Sequence, residues 1–92
     1  MLSQLPTNID KVPKEKLNQE ILRAGMIAEL DAVNFYEQMA ELATDKSLKE
    51  ILLDVAREEK THVGEFQTLL LRLDQEQGEE LEKGRKEAEE HV

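Results

Sequence analysis

A carboxylate and an imidazole interrupt an otherwise apolar helical stripe that runs Leu48, Leu52, Val55, Glu59, His62, Phe66, Leu69, Leu73. Steps of three and four keep one face of a helix turned toward a partner, so Glu59 and His62 sit where water is scarce. An ionised Glu left there alone is costly or takes up a proton. A bound metal ion removes that cost, and Glu-x-x-His at i, i+3 is an arrangement with which helix bundles hold two metals.

Spacing alone is a weak signal. With 16 Glu and two His in 92 residues, a Glu three residues before one of the His arises by chance about one time in three. Position carries the weight instead. His91 serves as a control: Ala88 stands three residues before it, in a charged tail, and nothing there resembles a site.

The chain that must position these groups is short. With 39% hydrophobic and 3% aromatic residues it cannot fill a large core by itself, and one domain is the most it can form. It has no cysteine, which removes disulfides, thiolate metal sites and Cys nucleophiles. A metal or a partner subunit is the remaining way to staple so small a core. A net charge of -9 and a pI near 4.7 argue against a nucleic-acid footprint and favour a raised local concentration of cations. There is no run of eighteen apolar residues, and Met1 to Val12 lacks the basic start and apolar stretch of a signal peptide. These features predict a soluble, cytoplasmic protein with neither nucleic acid nor membrane as partner.

The elements follow from the breakers and caps. Residues 1–12, with Pro6 and Asn8, read as an extended N-terminal arm, and Pro13 suits the first turn of a helix. From Pro13 to Ala43 only Gly25 disfavours helix. Thr44 and Asp45 offer side-chain caps for a second run over Lys46 to Leu73. Two long helices joined by a few residues fold back as an antiparallel hairpin over residues 13–73. Asp74 with Gln77 three residues on resembles a capping box, predicting a third helix from Gln75 within the charged segment 74–92. With Gly78 and Gly84 inside it, and only Leu81 and Ala88 apolar, that segment reads as a solvated, weakly held or frayed helix. The fold class is all-α.

A carboxylate also interrupts the matching stripe of the first helix: Leu22, Gly25 or Met26, Glu29, Val33, Tyr36, Ala40, Ala43. Counted from the turn near residue 45, Glu29, Glu59 and His62 lie roughly 24, 21 and 26 Å up the hairpin at 1.5 Å per residue. All three therefore share one level. They are half of a set, because a four-helix di-metal centre takes one Glu from each of two helices and Glu-x-x-His from each of the other two. Two copies related by a two-fold axis supply four Glu and two His, so dimerisation would create the four-helix bundle, the core and the site together. A metal-free, hydrogen-bonded Glu and His trio at a dimer seam is the alternative.

The stretch from Ala28 through Glu29, Leu30, Asp31, Ala32, Val33, Asn34 and Phe35 to Tyr36, and the stretch Arg57, Glu58, Glu59, Lys60, Thr61, His62, closely resemble the two metal-binding helices of the encapsulated ferritins, a branch of the ferritin-like superfamily. The resemblance covers about residues 17–73 and includes the short hairpin between the motifs. It is nearest to those members in which such a domain precedes an encapsulin shell protein in one polypeptide.

That resemblance implies a ferritin-like bundle and a ferroxidase, which oxidises Fe(II) to Fe(III) with dioxygen at a di-iron centre between two subunits and feeds iron storage. Two irons per dimer would be held by Glu29, Glu59 and His62 of each chain, with Glu59 bridging, Glu29 terminal and His62 the nitrogen donor. Such carboxylate-rich sites with an imidazole suit iron and manganese. Tyr36 matches a family tyrosine near the centre, where its hydroxyl would hydrogen-bond a ligand or donate an electron; an ordinary packed tyrosine is the alternative. Asp31 matches one acid of an outer metal site, although Ala28 stands where the family often has its companion. By the same resemblance the dimers form a ring of five, a decamer, housed inside an encapsulin nanocompartment with the shell protein as partner. The sequence ends Glu89, Glu90, His91, Val92 without the apolar docking peptide of stand-alone members, so either that tail has been removed or the polypeptide continues into a shell protein.

Other residues read more plainly. Glu58 falls beside the seam and faces solvent, Glu65 flanks the site at best, and Met26 and Met39 fill the core. Gly25 and Gly64 each cost about 1 kcal/mol within a helix and mark close approach or room for ligands. No phosphate-binding glycine loop, catalytic serine arrangement or basic patch is present. Two other functions stay open: a structural module stapled by zinc or manganese at the same ligands, and a metal-free helical adaptor that recruits a partner through its acidic third segment.

Overall fold

The structure, a computed structural model, describes residues 9–92. It is all-α: helix α1 spans Leu17–Leu42, α2 Lys46–Leu73 and α3 Gln75–Glu89, and no strand occurs among the described residues. The extended arm expected over residues 1–12 lies mostly outside them. Its described end, Ile9–Lys11, is a 3-10 turn rather than extended chain. Pro13 precedes the helix instead of opening its first turn. It caps a second 3-10 turn, Lys14–Lys16, that leads directly into α1.

Local chemistry sets the boundaries. Ala43 adopts an extended backbone and ends α1, and Asp45 starts α2 by accepting a hydrogen bond from the Leu48 amide at 2.8 Å. The three residues between the helices, Ala43 to Asp45, allow only an antiparallel return. Asp74 alone separates α2 from α3, and its carboxylate accepts from the Gln77 amide at 3.1 Å.

The same carboxylate is tied to α1. Arg23 Nη2 donates to Asp74 Oδ2 at 2.8 Å, and one turn earlier Gln19 Nε2 donates to the Leu73 carbonyl at 2.8 Å. The Gln77 amide, with the Arg23 guanidinium behind it, holds the Asp74 carboxyl below its ordinary value of 3.8. Because the folded value is the lower one, this tie is complete above the ordinary range and is lost only as pH falls through the lowered value. An Asp74→Ala variant is therefore expected to exchange its amide hydrogens much faster over residues 75–89 at neutral pH, with α1 and α2 unchanged. Hydrogen-exchange mass spectrometry checks this, and wild type should show the same loosening of α3 only in acid below about pH 4.

Helix α3 is the solvated element expected of the segment 74–92. The helix is regular to Glu89 despite Gly78 and Gly84, held by its Asp74 cap and by Arg85, which bridges Glu82 at 2.7 Å and Glu89 at 2.6 Å. It buries none of its residues.

The hairpin's contact line differs from the single seam read in the sequence. On α1 the buried residues Leu22, Val33 and Ala40 belong to the expected stripe, but on α2 the buried pair is Ala56 and Leu70. Small Ala40 and Ala56 let the helices approach, so the contact line of α2 runs beside the expected stripe: Phe66 still packs on Gly25 of α1, while Leu48, Leu69 and Leu73 fall at its edge. Leu48, Leu69 and Leu73 consequently stay about half exposed, as do Ile21 and Ile51. Among the described residues five are buried, two of them alanine, a thin core for a molecule only 19 Å through its narrowest extent.

Candidate metal centre

Glu29 projects from the middle of α1, and Glu59 and His62 from one turn of α2. The antiparallel return brings them together: His62 Nδ1 lies 3.2 Å from Glu29 Oε2 and 3.6 Å from Glu59 Oε2. One ligand atom from each of the three residues falls within 4.8 Å of the other two. Two donors each about 2.1 Å from a first-row ion are roughly 3.0 Å apart at a right angle and 3.4 Å apart at a tetrahedral one. The trio thus suits a metal with little movement of the helices.

Both carboxylates are largely shielded, with 18% of each side chain exposed, whereas the imidazole is 43% exposed and stands on the open side of the hairpin. Two carboxylates and one imidazole satisfy only part of a metal's coordination. The open side is largely apolar beyond the imidazole: Leu69 and Leu73 follow His62 at helical spacing and, with Ile21 and Leu22, line a groove of about 310 Å³ edged by Asn18 and Arg72. The ligand trio therefore borders an exposed apolar groove.

Tyr36 and Asp31 are not members of the trio. Tyr36 is half-buried and packs edge-to-face on Phe35, ring centroids 5.2 Å apart. Asp31, two residues after Glu29, lies about 200° round α1 from it, on the far side of the helix. Glu58 is exposed, as the sequence suggested, and Glu65 is exposed as well. Gly25 and Gly64 part company: a Cβ on Gly25 would crowd Phe66, whereas one on Gly64 would meet nothing within 4 Å. Arg23 and Gln19 were not legible as positioning groups. Their i, i+4 spacing was the available signal, but nothing local shows that α2 ends beside them.

The chain has counterparts among known proteins. The EncFtn-like family profile matches residues 4–84. The chain belongs to the EncFtn-like family. It is 57% identical over 93 residues to a ferritin-like-encapsulin shell fusion protein of Pyrococcus furiosus, an alignment covering 98% of this chain and 27% of that protein. A second relative, the encapsulin nanocompartment cargo protein EncC of Myxococcus xanthus, is 36% identical over 69 residues, 72% of this chain and 53% of that protein. This EncFtn-like chain thus spans about a quarter and about half of the relatives it matches. Among solved structures, the encapsulated ferritin domain from Pyrococcus furiosus superposes with a TM-score of 0.83 at 55% identity, covering 98% of this chain and 94% of that one. The all-α hairpin with its third helix is accordingly the fold of an encapsulated ferritin. None of the described helices is long and apolar enough to cross a membrane.

Proposed function

We propose that two copies of this chain pair over the open face and oxidise Fe(II) to Fe(III) with dioxygen, for storage in an encapsulin compartment. The observation that carries this reading is the convergence of Glu29, Glu59 and His62 within 4.8 Å on an apolar face left uncovered. Doubling the trio by a two-fold axis supplies four carboxylates and two imidazoles, the complement that holds two metals in a four-helix bundle. The pairing surface is isologous, so one groove covers the other.

Fe(II) is the substrate. Glu59, with its neighbours on both helices of the seam, is the bridging carboxylate between two irons, Glu29 is terminal, and His62 supplies the nitrogen. Four carboxylates neutralise the charge of the metal pair and favour its oxidised state. Each Fe(II) releases one electron, so a pair matches a two-electron reduction of one dioxygen. By resemblance to the family, Tyr36, two turns along α1 from Glu29, would serve as an electron donor or hydrogen-bond partner to a ligand, with an ordinary packed tyrosine as the alternative, and Asp31 on the far side of α1 would be an outer position for incoming metal. A second apolar groove of about 300 Å³ lies between the three helices, where Ile27, Leu30 and Leu81 are exposed. It offers dimers a surface on which to contact one another in a ring of five. Similarity to a shell fusion protein and to a nanocompartment cargo protein supports the encapsulin shell as partner.

The thin core favours a second reading on the same residues, in which Zn(II) or Mn(II) simply staples the dimer. Anaerobic Fe(II) titration followed by admission of air separates the two. The ferroxidase reading expects two irons per dimer and rapid formation of Fe(III); stoichiometric zinc in protein from its native source, with no iron turnover, supports the staple. EDTA treatment is expected to lower the melting temperature in either case, and an unchanged melting temperature and assembly would instead favour the metal-free adaptor.

A further inference from the structure

Next to the ligand trio lies a contact that no ligand set requires. Gly25 precedes Glu29 by one turn of α1, and Phe66 follows His62 by one turn of α2. In an antiparallel pair those steps run the same way, so Gly25 and Phe66 form the layer adjoining the Glu29 and His62 layer, about 6 Å along the bundle. A Cβ on Gly25 would stand 3.1 Å from Phe66 Cε2 and 3.3 Å from both Cδ2 and Cζ. Carbon atoms settle at about 3.5–4.0 Å, so the ring lies against bare backbone and a methyl group there requires it to give by a few tenths of an ångström. No other glycine is used in this way: Gly64 and Gly84 have nothing within 4 Å, and Gly78 meets only Leu71 Cδ2 at an ordinary 3.8 Å.

We propose that Gly25 and Phe66 are positioning residues: the ring seated on the glycine backbone fixes the α1–α2 separation one turn from the ligands, and thereby sets the metal affinity of Glu29, Glu59 and His62. This rests on the metal-binding reading above. The trio spans both helices, with Glu29 on one and the Glu59 and His62 pair on the other, so its bite depends on their separation. A methyl group at residue 25 must displace the ring or part the helices, and the Glu29 to His62 distance of 3.2 Å lies in the very next layer. Leucine at residue 66 restores the room that such a methyl group takes, while leaving the site loose when residue 25 is still glycine.

Anaerobic titration with Co(II), read by its visible absorption, tests this on the whole chain. Gly25→Ala is expected to raise the Co(II) dissociation constant by about tenfold or more and Phe66→Leu by a smaller factor, the scale on which groups supporting metal ligands act. The double variant is expected to return to within about threefold of wild type, a coupling that independent sites would not give. Alanine is a better helix former than glycine, so the metal-free melting temperature of Gly25→Ala should not fall in step with affinity. Wild-type affinity in Gly25→Ala, or a double variant no better than Gly25→Ala, overturns the spacer while leaving the metal site standing. Should Gly25→Ala fail to fold, unchanged Co(II) affinity in Phe66→Leu overturns it alone. A wild-type chain that binds no Co(II) or Fe(II) overturns the metal reading and the spacer with it.

Discussion

Replacing Glu59 or His62 by alanine is expected to cut the rate of aerobic Fe(II) oxidation by roughly 100-fold or more, because each substitution acts twice in the paired site. Both residues come from one turn of α2 and share His62 Nδ1 as their point of contact, 3.6 Å from Glu59 Oε2. Removing the carboxylate takes away the proposed bridge; removing the imidazole takes away the nitrogen donor from each half. Neither residue is among the five that form the hairpin's buried core, so the fold itself should persist, as far-UV circular dichroism would record. Stopped-flow absorbance under air reads the rate directly. Variants that oxidise Fe(II) as fast as wild type would remove these ligands from the reaction.

Introducing charge on the open face should abolish the same activity without touching a ligand. Leu69 and Leu73 are about half exposed in the single chain and lie on the side of α2 that carries His62. Completing the burial of one leucine contributes on the order of 1 kcal/mol, since fully burying such a side chain is worth about 1.5–3 kcal/mol. In a two-fold dimer each position counts twice, and an uncompensated lysine adds a further desolvation cost. Leu69→Lys with Leu73→Lys should therefore weaken dimerisation by several orders of magnitude, giving a monomer by light scattering at micromolar concentration. Iron turnover should fall with it although Glu29, Glu59 and His62 are intact. A monomer that still oxidises Fe(II) rapidly would show that one hairpin suffices.

The two predictions separate what was readable in the residues from what was not. Glu29, Glu59 and His62 were legible because polar groups interrupting an apolar periodicity must be compensated, and because counting residues from a short turn fixes their height. Asp45 and Asp74 were legible as caps, since capping is local. The contact line of α2 was less so. Leu52, Val55 and Phe66 form the more obvious stripe and are half-buried, yet the fully buried residues of α2 are Ala56 and Leu70 beside it. Rotation of a helix about its axis depends on which small residues allow close approach, and that is a property of the pair. The Arg23 to Asp74 tie and the seat of Phe66 on Gly25 were hidden for the same reason, each joining residues more than 40 apart in sequence. Helix α3 was legible from its Asp74 cap and its charge, as a solvated helix that buries none of its residues.

The central claim is that one chain holds half of a two-iron site. Crystals of the dimer grown anaerobically with Fe(II), with anomalous scattering recorded on either side of the iron absorption edge, test it most directly. The account predicts two iron peaks between two copies of Glu29, Glu59 and His62, close enough to share the Glu59 carboxylates. An iron bound by the trio of a single chain with no second copy facing it, or iron located elsewhere with the trio left to its own hydrogen bonds, would contradict it.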